Sequence, residues 1–202
     1  MDATRPPKIV LTGGPGAGKT VISAALLARF AGRLVLVPEA ATAVYHKLNT
    51  HWERLDLDGR RRVQTAMYEH QLAQEQQFSA DHPGTALLLD RGTIDGAAYW
   101  PDGPESFWPS VNTTHVAELT RYDHVLWLET AAALGIYDGA ASNVVRFENA
   151  DAAVDSGRRL LDLWHDHPHL HHVGAFVHLE DKIDAVSEIV TGLLDSRAMN
   201  ST

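Results

Sequence analysis

The sequence predicts an α/β fold of three layers, α/β/α, around a mostly parallel sheet of five strands. Three observations carry that expectation. Short apolar runs alternate with helix-length patterns along the whole chain. The run Thr85–Leu89 is apolar without alternation, as suits a central parallel strand covered on both faces. A glycine-rich loop joins the first strand directly to the first helix. At 202 residues the chain is long enough for one well-buried core, which predicts a single domain over 1–202.

The elements follow in order. The first strand is expected near Lys8–Leu11 and the first helix over Gly18–Phe30. Leu34–Val37 reads as the second strand, stopped by Pro38, and Ala40 to about Leu48 as a helix. Asn49–Gly59 is irregular, with Trp52 as its anchor. A long helix spans roughly Arg60 to Ala80, with only a broken apolar stripe at Val63, Met67, His70 or Gln71, and Phe78. The third strand ends at Asp90. A helix near Ile94–Trp100, an irregular Pro/Gly-rich stretch over Pro101–Pro109 and a helix within Asn112–Tyr122 lead to a fourth strand, His124–Leu128. Thr130–Asn149 is long, rich in Ala and Gly and weakly patterned, which suggests a lid-like insert. Helix Ala150–His165 carries Ala153, Leu160, Leu161 and Trp164 toward the core. A fifth strand lies within Leu170–Val177. The last helix, about Leu179–Leu194, spaces Ile183, Val186, Ile189, Val190 and Leu193 on one face.

The loop Gly13-Gly14-Pro15-Gly16-Ala17-Gly18-Lys19-Thr20 matches G-x-x-x-x-G-K-[ST] between a strand and a helix. Its glycines let successive backbone N–H groups turn inward around a polyphosphate, and the helix that begins there adds its own unpaired N–H groups. Lys19 is expected to reach the β- and γ-phosphates, and the Thr20 hydroxyl to bind Mg²⁺. The chain should therefore bind a nucleoside triphosphate with Mg²⁺.

In an open α/β sheet, ligands gather at the carboxyl ends of the strands. Strand two ends in Pro38-Glu39 and strand three in Asp90-Arg91-Gly92. Asp90 is the candidate acid for Mg²⁺, or a cap of the next helix. Glu39 is the candidate general base, or a second acid around the metal. Arg91 could clamp an acceptor or neutralise charge in transfer, or simply pair with a neighbouring acid. Asp95 could touch a substrate hydroxyl or cap its helix. In the lid-like segment Arg146 is the candidate transition-state arginine, with Arg158 and Arg159 as competitors.

A net charge of −9 and a single basic cluster, Arg60-Arg61-Arg62, argue against nucleic acid as a partner and for a small phosphoacceptor. That cluster reads as a solvated helix turn, or as an anion contact beside the acceptor site. No run approaches a membrane span, and the first residues lack the apolar core of a secretory signal. With no cysteine there is no disulfide framework, and the expected address is cytoplasmic, as a monomer or homodimer. The histidines at 165, 167, 169, 171, 172 and 178 lack the partners of a zinc pattern, so they read as composition around a strand start.

With these residues in place, the chain resembles the small bacterial "AAA domain" ATP-binding proteins of the P-loop kinase type. These are related to ribosylnicotinamide kinase and, more distantly, to nucleoside and nucleotide kinases. The matching stretches are Lys8–Thr20, Val37–Ala41, Asp90–Trp100, Tyr122–Glu129 and Val145–Glu148. The resemblance implies a nucleotide-kinase-like P-loop NTPase fold, ATP with Mg²⁺ and phosphoryl transfer. It places a base at Glu39 and an acid–arginine pair at Asp90 and Arg91, whereas the lid pattern R-x-x-x-R is missing around Arg146. The expected function is transfer of the γ-phosphoryl group to a hydroxyl or phosphate of a small molecule. The alternatives are an ATP or GTP hydrolase and a nucleotide-dependent switch that binds a partner protein.

Overall fold

A computed structural model describes residues 5–135 and 150–200. Five strands, β1 (Lys8–Thr12), β2 (Leu34–Val37), β3 (Ala86–Asp90), β4 (His124–Leu128) and β5 (Leu170–Val173), form one sheet in the order β2-β3-β1-β4-β5. All four pairings are parallel, so the expected "mostly parallel" sheet is parallel throughout its described strands. β1 lies between β3 and β4, with Leu11 opposite Asp90 and Leu126. Its carboxyl end is therefore flanked by the ends of both neighbours.

The helices are α1 (Lys19–Arg29), α2 (Ala40–Leu48), α3 (Leu57–Asp81), α4 (Pro104–Ser110), α5 (His115–Leu119), α6 (Ala150–Trp164) and α7 (Leu179–Asn200). Strand pleating divides the core into two layers. Ile9, Leu11, Leu88, Leu126 and Leu128 face α1 and α7, where they meet Ile22, Leu26, Ile183, Val186 and Val190. Val10, Leu87, Leu89 and Val125 face the other side, packing with Ile94, Trp100, Phe107, Trp108 and Trp164. Burying one such side chain contributes about 1.5–3 kcal/mol, so both faces of the sheet are needed to stabilise it.

Three stretches differ from expectation. The Pro/Gly-rich stretch contains α4, because Pro104 occupies the first helical turn, where its missing N–H costs nothing. The segment Thr93–Tyr99 is a tight 3₁₀ helix, and only His115–Leu119 is helical within Asn112–Tyr122. The start of the lid-like stretch forms a short 3₁₀ turn, Ala131–Leu134. The rest of that stretch, with Arg146, lies outside the described residues.

The inward face of α3 is polar, which explains its broken stripe. Gln64, Gln71 and Glu75 are all buried there. Glu75, fully buried, accepts from Lys8 Nζ at 2.7 Å, Tyr122 Oη at 3.0 Å and Arg121 at 3.2 Å. Tyr122 Oη in turn accepts from the Thr93 backbone N–H at 2.8 Å, and Thr93 Oγ1 donates to the buried Glu118 at 2.6 Å. A buried polar network thus anchors the chain that follows β3.

Candidate functional site

β1 runs straight into the glycine loop. Gly13 lies so close to β4 that a Cβ there would sit 2.3 Å from the Leu128 carbonyl oxygen, which no side chain permits. At Gly14 a Cβ would meet the Ala153 carbonyl at 2.6 Å and the Gly157 nitrogen at 3.0 Å, so the loop rests on the backbone of α6. Gly18, at φ 87, turns the chain into α1, whose first bond runs from the Ile22 N–H to the Gly18 carbonyl at 3.0 Å.

Lys19 folds back over this loop, donating to the Gly13 and Gly14 carbonyls at 2.8 and 3.3 Å. Burial, then the like charge of Arg91, lowers its pKa to about 7. Thr20 is exposed beside it. Two supports of the loop escaped the sequence reading. Thr130 Oγ1 donates to the Pro15 carbonyl at 2.8 Å. Lys182, buried on α7, donates to the carbonyls of Ala17 at 2.9 Å and Glu129 at 2.5 Å. The available signal was a lysine beside Ile183 on the apolar face of a helix.

Glu39, Asp90 and Arg91 converge where the ends of β2 and β3 approach the loop. Glu39 occupies the N-cap position of α2 but makes no side-chain cap, which leaves its carboxylate for other partners. Arg91 Nε donates to Glu39 at 2.7 Å and its Nη1 to Asp95 at 3.1 Å. Its backbone is left-handed, φ 77, although it carries a full side chain. Asp90 Oδ1 is buried with no hydrogen-bond partner among the described residues. Burial pushes its carboxyl up from the ordinary value, and the Lys19 charge pulls the other way.

A cavity of about 950 Å³ opens beside these groups. Pro15, Glu39, Arg91, Tyr99 and Arg159 are among the residues on its wall. Its aromatic lining comes from Tyr45, Trp52, Tyr68, Tyr99 and Trp100. Trp100 also packs into the core, edge-on to Phe107 at 5.3 Å, while Tyr99 shares a 3.0 Å hydrogen bond with Ser156. Asp95 reaches the cavity but is only 3% exposed, and its oxygens are taken by protein donors rather than left for a substrate. Arg158 points away, loosely paired with Asp155 at 4.0 Å. Of the basic cluster, Arg61 pairs with Asp58 and Asp102, and Arg60 lies 4.7 Å over the Trp52 ring.

Among the described residues, no group of three or more ligating side chains is placed to hold a metal, and no helix is long and apolar enough to cross a membrane. His172 stacks on Trp127 at 4.6 Å, and His124 packs against both His169 and His171.

A parallel sheet with β1 at its centre and a G-x-x-x-x-G-K-T loop leading into α1 defines a P-loop nucleotide-binding protein. The chain belongs to the AAA domain family, whose profile matches residues 8–182. No curated protein matches its sequence. Among solved structures it is similar to a NadR protein in complex with NAD and AMP-PNP, with a TM-score of 0.57 and 16% identity. The match covers 91% of this chain and 49% of that one, so the chain spans about half the length of that relative, and the likeness is one of fold.

Proposed function

We propose that this protein is a kinase that transfers the γ-phosphoryl group of ATP to a hydroxyl of a small molecule held in the cavity. The observation that carries this is the Glu39–Arg91 pair, 2.7 Å apart on the wall of a cavity that also touches the phosphate loop at Pro15. A carboxylate there lies between a donor site and a candidate acceptor site, where a general base belongs. The AMP-PNP bound to the similar NadR protein supports an adenine nucleotide as donor.

On nucleotide binding, Lys19 exchanges the Gly13 and Gly14 carbonyls for phosphate oxygens, and the loop N–H groups take the rest of the chain of phosphates. The orphaned Oδ1 of Asp90 and the exposed Thr20 hydroxyl fit a magnesium ion with its waters, which would neutralise charge on the transferred group. The acceptor oxygen forms a bond to the γ-phosphorus as the bond to the β-phosphate oxygen breaks and ADP leaves. The hydroxyl proton passes to the Glu39 carboxylate, which Arg91 orients. Because Arg91 already serves two carboxylates, it has little capacity to clamp an acceptor phosphate, so the reading favours a hydroxyl acceptor without a phosphate of its own.

Incubation with ATP and Mg²⁺ against nucleosides, nucleotides and sugar-like alcohols tests this. ATP consumption that requires one hydroxyl-bearing acceptor supports the kinase. Turnover without any acceptor would instead mean a hydrolase, and tight binding without turnover a switch.

A further inference from the structure

Asp95 sits at a junction that the transfer step does not use. It lies in the 3₁₀ segment after β3, and its carboxylate is buried. Oδ2 accepts from Thr12 Oγ1 at 2.7 Å and from Arg91 Nη1 at 3.1 Å. Oδ1 accepts from the Trp164 indole N–H at 2.7 Å.

The three donors come from three parts of the site. Thr12 ends β1 and directly precedes Gly13. Arg91 follows β3 and holds Glu39. Trp164 ends α6, the helix whose backbone supports Gly14 and whose Ser156 and Arg159 line the cavity. A buried carboxylate is expensive to desolvate, and an apolar residue would often fill such a place at no loss of stability. Its presence here has a geometric consequence. Arg91 departs from an unstrained backbone, at φ 77, and its guanidinium is fixed by two carboxylates on different atoms. With Asp95 gone, one tether remains, and the fork can turn about its own stem.

We propose that Asp95 is a positioning residue: it keeps Arg91, and through it Glu39, in register with the phosphate loop and with α6. This rests on the reading of Glu39 as the base, so the test separates the two claims. In the full-length chain, Asp95→Asn keeps the side chain's size and removes its charge. The Arg91 Nε–H resonance, assigned by its loss in Arg91→Lys, should exchange with water about tenfold faster or more in that variant. AMP-PNP–Mg²⁺ affinity, measured by calorimetry, should stay within about threefold. With an acceptor in hand, kcat should fall about tenfold or more while KM for ATP stays within about threefold, since small misplacement of a reacting group is costly.

Thr12→Val is nearly isosteric and removes one donor, so it should repeat this signature at smaller size even if Asp95→Asn folds poorly. Asp95→Glu restores the charge and should recover part of the loss. Unchanged Arg91 exchange in both Asp95→Asn and Thr12→Val overturns the proposal, as does a loss of AMP-PNP affinity as large as the loss of transfer. If the unsubstituted protein phosphorylates no acceptor, the kinase reading fails alone, and Arg91 exchange still decides the role of Asp95.

Discussion

Lys19 is held by its own loop, and its charge is weakly held as well. Burial and Arg91 bring its pKa down to about 7 from the ordinary 10.5. The negative charge of a triphosphate would outweigh both effects and raise that pKa. At about pH 8 the free protein therefore carries Lys19 largely neutral, and nucleotide binding should take up a proton. Affinity should fall as pH rises above about 7, the direction fixed by the lowered value in the free state. Calorimetry of AMP-PNP binding in buffers of different ionisation heat measures the proton directly. Identical heats in every buffer would count against it. Lys19→Ala should abolish turnover while leaving the fold intact. Glu39→Gln should cut transfer by about 10²-fold or more with little change in ATP binding, as for loss of a general base. Equal losses would move Glu39 to the magnesium ion. Lys19, Glu39 and Arg91 can be nominated from sequence because each is marked by a few neighbouring residues. The ties of Asp95 to Thr12 and Trp164 span 83 and 69 residues, so no local pattern announces them.

At the scale of elements, α6 and the phosphate loop form one packed unit. Gly14→Ala would drive a Cβ against the backbone of Ala153 and Gly157, where nothing flexible can yield. The helix or the loop must shift, at a cost of about 1–3 kcal/mol by analogy with overpacked cores. The same substitution should weaken AMP-PNP binding severalfold, because the loop amides move with Gly14. Thermal unfolding and calorimetry on the one variant separate the two effects. α3 makes a different point. Its inner face carries Glu75, paired with Lys8 and Arg121. Glu75→Gln takes the carboxylate from Lys8, leaves Arg121 with Glu118, and should destabilise by about 3 kcal/mol, read from urea unfolding. Apolar periodicity locates helices by what they bury, so a helix that buries glutamines and a glutamate gave only a broken stripe. α4 was missed for a related reason. Prolines 104 and 109 read as breakers, yet one sits at the first turn and the other within the last.

Across the whole molecule, the alternation of strands and helices was local information, but the order of strands in the sheet was not, because it depends on pairings between distant segments. The same long-range pairing brings β4 and β5 side by side and gathers their histidines. His171 Nε2 lies 3.4 Å from His124 Nδ1, and the His124 and His169 rings are 4.9 Å apart. Burial, then the charges that His169 and His171 would carry, lowers the His124 pKa to about 4, and burial lowers those of His167 and His171. In the unfolded chain each would titrate near about 6.5. Between about pH 6.5 and pH 4 the unfolded state therefore binds protons that the native state refuses, and stability must fall as pH drops through that window. Asp90, whose pKa is raised, works in the opposite direction, since the native state keeps its proton to higher pH. His124, lowered to about 4 from about 6.5, sets the expected direction. The urea midpoint should therefore decrease steadily from about pH 7.5 to about pH 5, and His124→Gln should flatten that slope. A midpoint constant over this range would mean that the imidazoles take up protons without resistance from the fold, and that their packing between β4 and β5 contributes nothing to its acid sensitivity.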